Sequence, residues 1–266
     1  MLSEMKQMRL LAALLVPAVA LILGAAAPEV WAGGYFLKEC EGEELELEES
    51  EVFFEFNFTD CDLGIQVFLD GSPWRSMTVR DEIGKPVLNV ITRGAWRTEG
   101  GAEFSLEGAE PQLIDPDEEP CSLADQRVID FLNQYRAGEY IFKGVAAEER
   151  CLLLGDAELT YDFPTPPVLD LDGFPEVATW TQPAGVQVVG YEAVVELEVL
   201  VDDDEQVFKE TATLPANVTT YNTSQTFLDL IASFESCVDC EILELKFELL
   251  AQEESGNKII VEAEPE

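Results

Sequence analysis

A chain of 266 residues with 54 acidic and 15 basic side chains has a formal charge of −39, no histidine and six cysteines. The missing histidine removes Ser-His-Asp, Cys-His and His-ligated metal chemistry together, and so few cations leave little to neutralise nucleic-acid phosphates. A hydrophobic fraction of 47% is nevertheless too high for a disordered acidic tail, so the chain is expected to fold around sizeable cores.

Residues 1–32 read as a secretory signal peptide. Lys6 and Arg9 form the basic start, an apolar run follows from Leu10 to Ala27, and Val30, Trp31 and Ala32 offer a small-residue cleavage site. The apolar run approaches spanning length, so a retained anchor is the competing reading. Pro28 and the cleavage site favour removal, which places the protein in the periplasm or outside the cell, with no membrane span after cleavage.

From residue 43 onward the dominant signal is period-two alternation. Strands are expected at 44–48, 52–58, 64–70, 75–81, 86–92 and 102–106. Between them lie Asp70 and Gly71, Ile83 and Gly84, and Gly100 and Gly101, which suit hairpin turns. One helix interrupts the pattern. Ser122 is its expected cap, Asp125 suits its first turn, Val128, Phe131 and Leu132 form its stripe, and Gly138 marks its end. Strands at 139–145 and 151–161 follow. The stretch 163–167, with three prolines, reads as a linker.

Seven more strands are expected beyond it, at 168–171, 177–181, 188–201, 206–213, 217–221, 242–252 and 258–262, with a short helical segment at 226–234. Seven strands in about 100 residues is the count of an immunoglobulin-like sandwich. The predicted fold is therefore all-β, with two sandwich domains in tandem. Residues 33–163 form the first domain, with one short helix inserted late, and residues 164–266 form the second.

Six cysteines in an exported chain read as disulfides. Pairing by proximity joins Cys40 to Cys61, Cys121 to Cys151, and Cys237 to Cys240. The last pair has CxxC spacing, but Glu235, Asp239, Glu241 and Glu244 surround it. Acidic neighbours raise a thiol pKa, so a structural turn is expected in place of a redox site.

Particular residues also carry a family resemblance. Pro166 and Pro167, Trp180 followed by Thr181, Gln182 and Pro183, and the run from Gly190 and Tyr191 to Glu196 resemble the early strands of a fibronectin type III domain. Leu214, Pro215 and Ala216, then the stretch 245–251, resemble its later strands. The first half is similar to the partner domain of uncharacterised secreted bacterial proteins, on Asn57 to Asp62, Gly64 to Gly71, Pro73 and Trp74, the stretch 107–111 and the stretch 137–144. That family often has glycine where this chain has Cys61, and it offers no catalytic residue to transfer.

Candidate chemistry is sparse. Asp60 and Asp62, just before Gly64, are the best candidates for calcium, the one cofactor suggested, although no EF-hand loop is present. Trp96, flanked by Arg93 and Arg97 between glycines, is the aromatic expected to be exposed and to contact an anion or a glycan. The expected function is a non-catalytic binding or structural module, with a protein or glycan partner and no nucleic acid. The alternative is a carbohydrate-active or calcium-dependent hydrolase that uses two carboxylates.

Overall fold

The computed structural model describes residues 44–147, 151–202 and 204–265. The expected signal peptide and Cys40 lie outside them. Among the described residues there are fifteen strands and three short helices. In chain order the first half holds β1 (Leu45–Glu46), β2 (Glu49–Asn57), β3 (Asp62–Asp70), β4 (Trp74–Arg80), β5 (Pro86–Ile91), α1 (Trp96–Glu99), β6 (Phe104–Glu107), α2 (Gln126–Leu132), β7 (Gly138–Ala146) and β8 (Leu152–Leu159). The second half holds β9 (Leu169–Asp170), β10 (Val177–Trp180), β11 (Val188–Val201), β12 (Asp204–Pro215), β13 (Thr220–Asn222), α3 (Gln225–Glu235), β14 (Cys240–Glu253) and β15 (Lys258–Ala263).

Alternation puts one set of side chains inside. Val52, Phe54 and Phe56 of β2 are buried, as are Leu63, Val67 and Leu69 of β3. Removing each such aromatic or aliphatic side chain from water contributes roughly 1.5–3 kcal/mol. These residues face a five-stranded sheet of order β1-β8-β7-β4-β5, which supplies Met77, Val79, Tyr140, Phe142 and Leu153. Trp74 of β4 meets Phe104 of β6 edge-on, 6.2 Å between ring centres. In the second half a three-stranded sheet, β13-β10-β9, covers β11 and β14. There Trp180 packs on Tyr191 at 5.5 Å and on Phe247 at 6.3 Å, which sets its ring between the two sheets.

The same sheet backs both cores. Its order is β12-β11-β14-β15-β2-β3-β6, seven strands drawn from both sides of residue 163. The seam is a parallel pairing of β15 with β2, in which Lys258 faces Glu55, Ile259 faces Phe56 and Ile260 faces Asn57. The connection before β9 is fastened as well. Phe163 is buried, with its ring 6.3 Å from that of Phe54 and 6.1 Å from that of Phe56.

Three details differ from the sequence expectation. Asp125 caps α2 by accepting the Arg127 N–H, whereas Ser122 accepts the Ala124 N–H in the preceding turn. The helix stops at Leu132 and Gly138 opens β7, because Tyr140 and Phe142 then alternate into the core. Cys61 bonds Cys121, which overturns the proximity pairing of Cys61 with Cys40 and of Cys121 with Cys151. A sandwich brings loops distant in sequence to one end, so nearness along the chain is a poor guide to sulfur pairing. Cys151 is also disulfide-bonded, and Cys237 bonds Cys240 as expected.

Candidate functional site

Alternation sends the other half of each strand outward, and on the seven-stranded sheet that half is acidic. Register places Glu192 and Glu196 of β11, Glu248 of β14, Glu262 of β15, Glu55 of β2 and Asp62 of β3 on one face. Three lysines share it, and each is paired: Lys209 with Glu196 (2.6 Å), Lys246 with Glu262 (3.1 Å) and Lys258 with Glu55 (3.6 Å). Val194, Leu250 and Ile260 form a small apolar island on this face. Carboxylates crowded around apolar surface hold their protons more tightly. Burial pushes Glu248 up to about 7, with Glu262 adding to the effect.

The crowding peaks at the β3–β6 end. Gly64 has no side chain, and Glu110 lies over it so closely that a Cβ there would meet the Glu110 carboxyl at 2.5 Å. Glu110 rises to about 7, first through burial and then through a hydrogen bond and charge from Glu107. Asp62 rises to about 6, through burial and then the charges of Asp60 and Glu262. Beside them runs an open groove of about 420 Å³, lined by Glu49, Glu51, Phe53, Glu55, Gln66, Phe68, Glu107 and Lys258 among others. The Lys258 ammonium sits 4.8 Å above the centre of the Phe53 ring.

A second feature projects from the loop after β5. Its base is rigid: the Trp74 N–H donates to the Gly101 carbonyl (2.7 Å), the Gly101 N–H returns a bond (2.9 Å), and the Trp74 indole donates to the Ala102 carbonyl (3.2 Å). Gly94 and Gly100 have φ of 60° and 84°, which a side chain would resist. Between them stands α1, with none of its residues buried. Trp96 is 66% exposed, and Arg93 and Arg97 are exposed beside it.

The structure brings Trp96, Arg93 and Arg97 onto one loop. Asp60 and Asp62 flank Cys61 at the β2–β3 turn, where Asp60 accepts the Asn57 amide at 3.0 Å. Among the described residues no group of three or more Asp, Glu, Cys or His side chains converges as metal ligands do. Sequence reasoning missed the Glu107–Glu110 pair and the groove. The two glutamates are near in the chain, but their crowding over Gly64 and the groove beside them depend on β3 pairing with β6, and the local signal was Gly64 within a strand.

No family model matches the chain, and no curated protein matches it. Solved structures overlap it weakly, and two serve as examples. One is described as a tetra-tandem repeat in the extending region of a large adhesion protein, at 15% identity and TM-score 0.22, covering 82% of this chain and 49% of that one. The other is described as structural insight into host cell surface retention of a 1.5-MDa bacterial ice-binding adhesin, at 8% identity and TM-score 0.22, covering 83% and 64%. The chain thus spans about half the length of the first and under two thirds of the second. Overlap at that level carries no inference about this chain.

Proposed function

We propose that this protein is an exported, non-catalytic binding or structural module that contacts a protein or glycan partner through the loop bearing Trp96, Arg93 and Arg97. The observation that carries this reading is the exposed indole of Trp96 on a loop braced by three hydrogen bonds at its base. An exposed indole offers a flat apolar face with a polar N–H for stacking on a sugar ring or a partner protein, and a braced loop gives up little entropy on binding. The three-plus-four strand arrangement around Trp180 supports the fibronectin type III resemblance of the second half. The disulfides support an oxidising compartment. Calcium at Asp60 and Asp62 belongs to the same reading, as the pair a divalent cation would relieve of mutual repulsion.

The hydrolase alternative needs two carboxyls about 5–9.5 Å apart across a substrate. Glu107 and Glu110 instead share a hydrogen bond, beside a groove open to solvent. The test is to mix the protein with neutral and uronate oligosaccharides while following tryptophan fluorescence and new reducing ends. A fluorescence change that Trp96→Ala abolishes, with no new reducing ends, supports the binding reading. Reducing ends that disappear in Glu110→Gln overturn it.

A further inference from the structure

The sheets end in edges of different kinds. β1 and β9 have two residues each, β13 has three and β6 four, which leaves little backbone free to pair. β5 has six, but Pro86 opens it and its register with β4 shifts at Arg80. β12 is the exception. It has twelve residues and pairs with β11 from end to end without a register shift. Among the described residues no strand lies on its other side, and Pro215 stands only at its last position. Val207, 49% exposed, lies on its outer face between Glu205 and Lys209.

We propose that the free edge of β12 pairs antiparallel with β12 of a second copy of this chain, about a two-fold axis through Val207. This goes beyond the reading of Trp96, which lies on a separate loop. Unpaired N–H and C=O groups along a long edge supply the ladder, and the order of side chains supplies the match. Glu205, Val207 and Lys209 share one face. The axis therefore sets the two Val207 side chains together and each Glu205 opposite the other copy's Lys209. Centring the pair on Glu205 or on Lys209 would set like charges opposite each other, so the charges select one register. On the core side Gln206 comes opposite Phe208. Asp204 comes opposite Glu210, whose carboxylate is taken up by Tyr221 and Ser224 of its own chain.

Both charges have capacity to spare. Lys209 contacts Glu196 at 2.6 Å, but 55% of its side chain is exposed, and an ammonium carries three donors. Glu205 has no ion pair among the described residues. It crowds Glu198 instead, whose proton is held more tightly than usual through desolvation and then through Glu205. The same charges guard the edge against a strand of different sequence. The total charge of −39 opposes association at long range, and salt screens that repulsion beyond about 8 Å. Only residues 204–210 of each copy pair, so the dimer is weak and concentration-dependent. Each edge covers the other, and assembly stops at two copies.

The experiment is sedimentation of the protein as released by an exporting host, from about 10 µM to 1 mM at neutral pH, a range that covers weak contacts. The average mass should climb with concentration and level off at twice that of the monomer. Glu205→Lys and Lys209→Glu should each weaken the association constant by about tenfold or more, because each sets like charges opposite at both ends of the pair. An equimolar mixture of the two variants should recover dimers, since the lysines of one copy then face the glutamates of the other. That recovery also shows that both variants fold. Amide exchange within residues 204–210 should slow as concentration rises, which contact through side chains alone does not produce. A constant monomer mass overturns the proposal, as do growth beyond two copies, dimers indifferent to the charge reversals, and a mixture that stays monomeric.

Discussion

Asn257 accepts the Phe54 N–H on its Oδ1 at 2.8 Å, a bond between residues 203 apart in the sequence. Its Nδ2 donates to the carbonyls of Thr160 (3.2 Å) and Asp162 (3.0 Å), and its own N–H donates to Glu253 Oε1 (2.9 Å). One fully buried amide therefore ties β2, the connection before β9 and the β14–β15 turn together, where β15 joins β2.

Asn257→Ala should cost about 2–4 kcal/mol, because it strands the Phe54 N–H and two carbonyls out of reach of water. The check is a lower urea midpoint with an unchanged slope. Asn257→Asp keeps the acceptor for Phe54 but turns an anionic oxygen toward the carbonyls of Thr160 and Asp162. It should be at least as destabilising at neutral pH.

Cys61 has φ of 58°, a left-handed position that favours glycine, and its bond to Cys121 closes a loop of 60 residues. Loop-closure entropy assigns the bond about 4 kcal/mol, against roughly 1–2 kcal/mol of backbone strain. Replacing Cys61 by Gly and Cys121 by Ala together should therefore destabilise the protein by about 2–3 kcal/mol. Cys61→Ala with Cys121→Ala should lose more. Guanidinium unfolding of both double variants separates the two contributions.

Stability should rise as the solution is acidified from pH 8 toward pH 5. Asp62, near 6, and Glu110 and Glu248, near 7, bind protons more tightly when folded than when unfolded, so protonation favours the native state across that window. The gain ends near the ordinary carboxylate pKa of about 4, where the unfolded chain is protonated too. Further acidification then costs stability through Asp125, which hydrogen bonds from Arg127 hold down at about 2, and through Glu210, held low by Ser224 and Tyr221 against the opposing effect of burial. Thermal melts from pH 3 to 8 should peak below neutrality, and Glu248→Gln should flatten the limb above pH 5.

Calcium supplied at ten times its Kd should add about 1.4 kcal/mol, a rise in Tm of roughly 3–5 °C for a domain of this size. Asp60→Asn with Asp62→Asn should remove the rise. An identical Tm in calcium and in chelator sets aside the calcium expectation for these two residues.

Much of the fold was legible because period two reports which face of a strand is buried. Phe54 and Phe56 could be placed inside from alternation, whereas the place of Trp180 between sheets followed from the fibronectin type III resemblance. Period two does not report which strand lies alongside, so the β15–β2 pairing and the Cys61–Cys121 bond stayed hidden. The four-residue α1 is too short for any periodicity to register. Trp96 was legible as exposed from its glycine-bounded, arginine-flanked setting. The groove was not, because Glu51, Phe68 and Glu107 come from three strands whose adjacency only folding decides.

The parallel seam also sets the order in which the chain can mature. Until residues 258–260 are synthesised and in place, β2 has one unsatisfied flank beside Glu55, Phe56 and Asn57. An exposed strand flank invites mispairing. A chain that emerges from its N-terminal side carries that vulnerability until β15 is made, so chaperone protection of the first half matters most just before β15 arrives.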